Sequence, residues 1–175
     1  MKKLLALTIL FSFSTTMTAS AQSQSTQKLK PSKVNYSGFV TMSKEAGDFR
    51  QKRMVDVKTF LKMSAEPNTI ILDTRSERAY KKKHLKGAIH LNFSDFTVGK
   101  LKKVIPSKET RILIYCNNNI DNDPVNFAAK RVELALNIPT FINLYGYGYK
   151  NIYELSSLIS ADDGILKFEG TDVKN

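Results

Sequence analysis

The stretch Arg111-Ile112-Leu113-Ile114-Tyr115-Cys116-Asn117-Asn118-Asn119-Ile120-Asp121-Asn122-Asp123-Pro124 decides the fold. Ile112 to Tyr115 is a continuous apolar run, the pattern of a strand buried on both faces. Asp123 before Pro124 reads as a helix N-cap and first helical residue. Strand, thiol, short loop and helix form a cradle whose backbone N–H groups and positive helix end stabilise a thiolate or an anion. On this reading the amides of Asn118 to Asn122 and the helix start at Pro124 lower the Cys116 pKa. Cys116 is the only cysteine of the chain, so it has no disulfide partner within it.

Downstream, Val125, Ala128, Ala129, Val132, Ala135 and Leu136 recur at helical spacing and predict a helix with Lys130, Arg131 and Glu133 on its outer side. Thr140 to Leu144 reads as a strand, Tyr145 to Tyr149 as a glycine-broken turn, and Lys150 to Ile159 as a last helix. Upstream, Met54-Val55-Asp56 reads as a first strand, followed by a helix near Val57–Met63 that Pro67-Asn68 closes. Thr69 to Asp73 is a second buried strand, Ser76–Lys82 a polar helix, and His84 to Leu91 a turn into a short strand. Val34 to Arg53 shows no clean period, and Gly38 and Gly47 suggest loops around a short strand or helix. Strands that are apolar throughout, alternating with helices, imply an α/β fold with a mainly parallel sheet covered on both faces.

At the amino terminus Lys2 and Lys3 precede an apolar stretch from Leu4 to Phe13, and Ala19-Ser20-Ala21 offers small residues for cleavage. This predicts a secretory signal peptide over 1–21, too short and wrongly flanked to span a membrane, and hence a periplasmic or secreted protein. Residues 22–33 read as a flexible polar leader, 34–165 as a single domain and 166–175 as a C-terminal tail. The net charge of +11 is carried partly by Lys81-Lys82-Lys83 and Lys100 to Lys103. Export excludes nucleic acid as a partner and leaves anionic surfaces or small anions as contacts.

Four segments in order resemble the rhodanese-like family. They are Leu72-Asp73-Thr74-Arg75, His84-Leu85-Lys86-Gly87-Ala88-Ile89-His90-Leu91, Ile112 to Cys116, and Asn143 to Tyr149. The resemblance spans about residues 54–155 and implies a three-layer α/β sandwich around a mainly parallel sheet of about five strands. It implies that Cys116 takes sulfane sulfur as a persulfide and passes it to a thiol, which makes the protein a sulfurtransferase. Asn117, Asn118, Asn119, Ile120, Asp121 and Asn122 would then form the substrate loop, with Asp73, Arg75 and His84 in support. The implied partners are a small sulfur donor or persulfidated protein and a thiol acceptor, with no cofactor and no metal.

The loop departs from the family pattern of Cys, four variable residues and Arg, because the fifth residue after Cys116 is Asp121. Without a guanidinium a dianionic donor loses its forked partner, a loss of about 1.5–3 kcal/mol. Thiosulfate is therefore disfavoured against a neutral or protein-bound persulfide. A cysteine phosphatase is excluded because the sixth residue is Asn122 rather than Arg. Asn117, Asn119, Asp121 and Asp123 alternate like calcium ligands, but Asn122 and Ala128 stand where an EF-hand needs Gly and Glu. A disulfide oxidoreductase would need a Cys-x-x-Cys pair. The rival reading is a catalytically inactive rhodanese-like module for protein interaction or sulfur binding. His84 reads as a residue that fixes its turn and His90 as an outward strand residue. Tyr145, Tyr147, Tyr149 and Tyr153 read either as a partner surface or as rim packing.

Overall fold

A computed structural model describes residues 29–173. The expected signal segment 1–21 and residues 22–28 of the leader lie outside the described residues. Residues 29–34 hold no helix or strand. From there the chain runs α1 (Tyr36–Arg50), β1 (Met54–Val55), α2 (Val57–Ser64), β2 (Thr69–Asp73), α3 (Glu77–Lys82), β3 (His84–Leu85) and β4 (Ala88–His90). It continues through α4 (Val98–Val104), β5 (Arg111–Tyr115), β6 (Ile120–Asp121), α5 (Asn137–Gly146), β7 (Ile152–Leu155), β8 (Ile159–Ser160) and β9 (Phe168–Glu169).

Five strands form one parallel sheet in the order β1-β7-β5-β2-β4, with β5 at its centre. The pleat sends alternate side chains of β5 to opposite faces. Ile112 and Ile114 join Ala46 of α1, Leu101 of α4 and Phe141 and Leu144 of α5. Leu113 and Tyr115 join Phe60 of α2, Tyr80 of α3, Phe127 and Leu166. Burial on both sides explains why this strand is apolar at every position. The expected α/β sandwich with about five strands is what the chain forms.

Three expected elements are different. The helix predicted from Pro124 stops after one turn, in which the Phe127 amide donates to Asp123 O at 2.8 Å. Phe127 then enters the core, and the following backbone is held by side chains. Asn117 Nδ2 donates to Ala128 O at 2.8 Å, while the Asn118 amide binds Lys130 O at 2.7 Å and accepts the Lys130 N–H at 3.1 Å. These bonds occupy backbone groups that a helix would need, so Val125 and Val132 stay in solvent at 77% and 75% exposure.

The strand expected over Thr140–Leu144 is instead helix α5, and the helix expected over Lys150–Ile159 begins as strand β7. Asn137, Thr140, Phe141 and Leu144 are the buried positions of α5, and Pro139 sits in its first turn, where no N–H is required. In β7, Ile152 faces the α1–α5 side while Tyr153 and Leu155 face the other, which is strand alternation. The region before Arg53 is the 15-residue helix α1. It packs against α5 where Gly146 makes room, since a Cβ there would lie 2.4 Å from Met42 Sδ. Residues 166–173, expected as a tail, pack down: β9 pairs with β3, and Leu166 is buried.

Candidate functional site

Parallel α/β sheets bind ligands at the carboxyl ends of their strands, and Cys116 stands one residue past the end of the central strand. Its Cα continues the pleat, so its side chain shares the face of Ile112 and Ile114, toward α1 and α5. Asn117–Asn119 turn at once into a short 3₁₀ segment, closed by the Asn119 amide donating to Cys116 O at 3.0 Å. In return Asn119 Oδ1 accepts the Cys116 N–H at 2.9 Å. Asn119 Nδ2 donates to Leu155 O at 2.8 Å and Ser157 O at 3.2 Å, which ties the turn to the end of β7.

The thiol is buried, with 1% of its surface exposed. Burial pushes its pKa up; the amides of Asn137, Asn118 and Leu136 pull it down, and the Glu154 carboxylate adds to the rise. The helix end that approaches the sulfur is therefore that of α5, not of a helix starting at Pro124. The amides come from Asn118 and from 136–137 rather than from Asn118 to Asn122. Burial outweighs them, so the thiol is less acidic than usual, the reverse of the expected direction.

The expected loop residues divide accordingly. Asn117, Asn118 and Asn119 stay beside the thiol and hold other backbone with their amides. Ile120 and Asp121 leave as β6, which pairs in parallel with β8. Asn122 follows with a left-handed φ of 61°, and its Nδ2 donates to Ser160 Oγ at 2.9 Å. The alternating Asn117, Asn119, Asp121 and Asp123 do not converge, since Asp123 pairs with Lys83 at 2.9 Å and Asn119 with the Cys116 amide. Among the described residues no cluster of three His, Cys, Asp or Glu side chains is placed to hold a metal.

Asp73, Arg75 and His84 lie on the other face of the sheet. Arg75 donates from Nε and Nη2 to Asp73, with Nη2–Oδ2 at 2.7 Å, and both are buried. Tyr115 hydroxyl donates to the same Asp73 oxygen and accepts the Leu85 N–H at 3.1 Å. Burial and the Asp73 charge push the Tyr115 pKa well above its ordinary value. Arg75 Nη1 reaches around to Asn126 O at 3.1 Å and Asn117 Oδ1 at 3.4 Å, which connects this pair to the loop. His84 bonds Tyr80 O through Nδ1 at 2.7 Å, stacks on the Tyr80 ring and makes no bond to the thiol. His90 Nε2 bonds Arg75 O at 2.8 Å, so it also points inward to a partner.

The tyrosines pack. Tyr149 is buried, Tyr147 hydroxyl donates to Phe96 O at 2.9 Å, and Tyr145 lies against Phe49. Tyr153 hydroxyl accepts from Arg53 at 2.7 Å. Sequence reasoning missed Arg50, Asn137 and Glu154, which continue the hydrogen-bond chain from Asn119. A buried Glu inside an apolar strand was the available signal, because such a charge requires a partner.

A thiol past the central strand of a five-stranded parallel sheet, facing amides from two segments, defines a small α/β domain built around one cysteine. The chain belongs to the rhodanese-like family: the model of the rhodanese-like domain matches residues 56–157, more than half of it. That family comprises sulfurtransferase-type and sulfur-binding domains, inactive members among them. Similar solved structures include the BH2092 protein from Bacillus halodurans, 23% identical over 64% of this chain and 74% of that one, TM-score 0.41. A rhodanese with anions from E. coli is 16% identical over 59% of this chain and 99% of its own, TM-score 0.39. The rhodanese-like domain of the Anabaena Alr3790 protein is 20% identical over 69% and 80%, TM-score 0.42. No curated protein matches the chain.

Proposed function

We propose that the protein is an exported sulfurtransferase that carries sulfane sulfur on Cys116 and takes it from a persulfide rather than from thiosulfate. The observation that carries this reading is the buried Cys116 one residue past the central strand β5, where the influences favouring its thiolate are the neutral backbone amides of Asn118, Leu136 and Asn137. Neutral N–H donors suit a single persulfide sulfur. The Arg50 guanidinium on this side is taken up by Glu154, so a dianionic donor finds no free forked partner there.

In the first step the Cys116 thiolate attacks the outer sulfur of a donor R–S–SH. The new Cys116 S–S bond forms, the donor S–S bond breaks, and its electron pair leaves as R–S⁻. An acceptor thiolate then attacks the outer sulfur of the Cys116 persulfide, and the Cys116 thiolate departs with the electron pair. No net oxidation occurs. The raised thiol pKa keeps the thiolate fraction small at neutral pH, so transfer is slow unless the site opens. Opening falls to residues 120–136, which are tied down mainly by side-chain bonds rather than by long regular elements.

Incubation of the protein lacking residues 1–21 with cyanide and several donors, with Cys116→Ser as control, tests the reading. Thiocyanate that requires Cys116 and appears with organic persulfides supports it; none from any donor refutes it. The second reading, a sulfur-binding module without turnover, is favoured by the near-complete burial of the thiol. Intact mass after persulfide treatment separates the two, because a module would hold a one-sulfur adduct that acceptor thiols do not remove. Export rests on the segment from Lys2 to Ala21. Amino-terminal sequencing of the protein from a secreting bacterium, starting near Gln22, would support it, and an uncleaved chain would sink it.

A further inference from the structure

Asn119 and Asn137 are the inner links of a longer chain of polar side chains. Asn137 Nδ2 donates to Asn119 Oδ1 at 3.0 Å and to Glu154 Oε1 at 3.3 Å. Glu154 is buried on β7, and it receives a forked pair from Arg50, Nε–Oε2 at 2.5 Å and Nη2–Oε1 at 2.6 Å. Arg50 is the last residue of α1, which precedes the segment 56–157 that the family model matches. A helix outside that segment thus supplies the counter-charge for the carboxylate that ends the hydrogen-bond chain running from the Cys116 amide through Asn119 and Asn137.

We infer that Arg50 is a positioning residue for Cys116: by neutralising Glu154 it limits the negative charge felt at the sulfur, and through Asn137 it holds the start of α5 against it. This deepens the sulfur-carrier reading and rests on it for its functional meaning. A carboxylate paired with a guanidinium projects little field, whereas the same carboxylate alone in a buried site is an uncompensated charge. An uncompensated negative charge disfavours a nearby thiolate. The chain also provides contact, since the side chain that Glu154 holds belongs to Asn137, and the Asn137 amide is one of those at the sulfur.

The charged groups around this arrangement are few. α1 contributes Arg50, while Arg53 lies just beyond it, with its carbonyl accepting the Glu154 amide at 2.9 Å and its guanidinium held by Tyr153 and Phe49. α5 contributes the neutral Asn137. On the far face Asp73 is matched by Arg75, and Tyr115 donates to Asp73. Arg75 touches the loop at Asn117, Asn126 and the Phe127 ring. Among the described residues, Arg50–Glu154 is the charge pair joined to the Cys116 turn through Asn137 and Asn119.

The test is the pH dependence of Cys116 alkylation by iodoacetamide, followed by intact mass on the folded full chain. Arg50→Gln should lower the alkylation rate at pH 8 about tenfold by raising the thiol pKa. Glu154→Gln should raise that rate, R50K should restore part of it, and the R50Q/E154Q double variant should not fall below wild type. Loosened packing would instead move every variant the same way, toward faster alkylation. Opposite shifts for R50Q and E154Q establish the inference; shifts of one sign, or none, overturn it. Should R50Q not fold, the pH midpoint of E154Q alkylation decides it: a midpoint below that of the wild type supports the inference, and faster alkylation at an unchanged midpoint overturns it. Persulfide loading of the wild type is scored separately, so a chain that takes no sulfur yet shows opposite shifts refutes the carrier reading and leaves the charge balance standing.

Discussion

Replacing Asn119 with alanine removes the side chain that joins the thiol turn to the end of β7. The native amide accepts the Cys116 N–H at 2.9 Å, donates to Leu155 O at 2.8 Å and Ser157 O at 3.2 Å, and accepts from Asn137 at 3.0 Å. The bonds to Cys116 and Leu155 lie in the buried interior, and alanine cannot replace either. Each buried group left without a partner costs about 1–3 kcal/mol, so the two together give about 2–6 kcal/mol. Most small domains have about 5–15 kcal/mol in total, which makes this a severe but survivable loss. Urea titration of the wild type and Asn119→Ala, compared at equal m-value, measures it. The same variant should expose the thiol to alkylation, because nothing then fixes residues 117–119. Asn119→Asp keeps the acceptor for Cys116 but sets a carboxylate against two carbonyls, so it should be no more stable than the alanine variant. A loss below about 1 kcal/mol with unchanged thiol reactivity would refute the account of Asn119 as the central tie.

Tyr115→Phe deletes the hydroxyl bonded to Asp73 and to the Leu85 N–H; it should cost about 1–3 kcal/mol in urea titration while leaving the Cys116 alkylation profile in place, since the hydroxyl faces the opposite side of the sheet. The raised thiol pKa makes stability pH-dependent with a definite sign. The contribution is fully present below the unfolded-chain thiol value of about 8.5 and is lost as pH rises through the folded value, because the unfolded thiol gives up its proton first. Cys116→Ala should therefore flatten the alkaline limb of thermal stability above about pH 8.5, and an identical limb in both proteins would contradict the assignment.

The sheet centre and the place of the thiol were legible because β2 and β5 are buried on both faces, and a run without polar interruptions has few other uses. The exchange of helix and strand downstream was not legible. Thr140, Phe141 and Leu144 satisfy helical spacing as well as a short apolar run does, and a run of that length does not distinguish the two. The twelve or so residues before them carried an equally good helical period, yet Asn117 and Asn118 claim their backbone from a distance. Which of three consecutive asparagines turns inward was also hidden, since only the register of the turn after β5 sends Asn119 under the loop. Arg50 was the least visible member. It is separated from Glu154 by 104 residues, and a lone Arg at the end of a helix with no clear period gives no hint of its partner.

Asn117, Asn118 and Arg75 grasp residues 126–130 through main-chain atoms: Asn126 O, Ala128 O, and the N–H and O of Lys130. The grip reads one side chain in that segment, the buried Phe127 beneath the Arg75 guanidinium. Its other letters are therefore free to drift or to be replaced while its path beside the Asn117–Asn119 turn is kept, provided no proline falls at 130. The same scaffold has a natural cassette here, whose exposed side chains can be rewritten without touching the residues that hold Cys116.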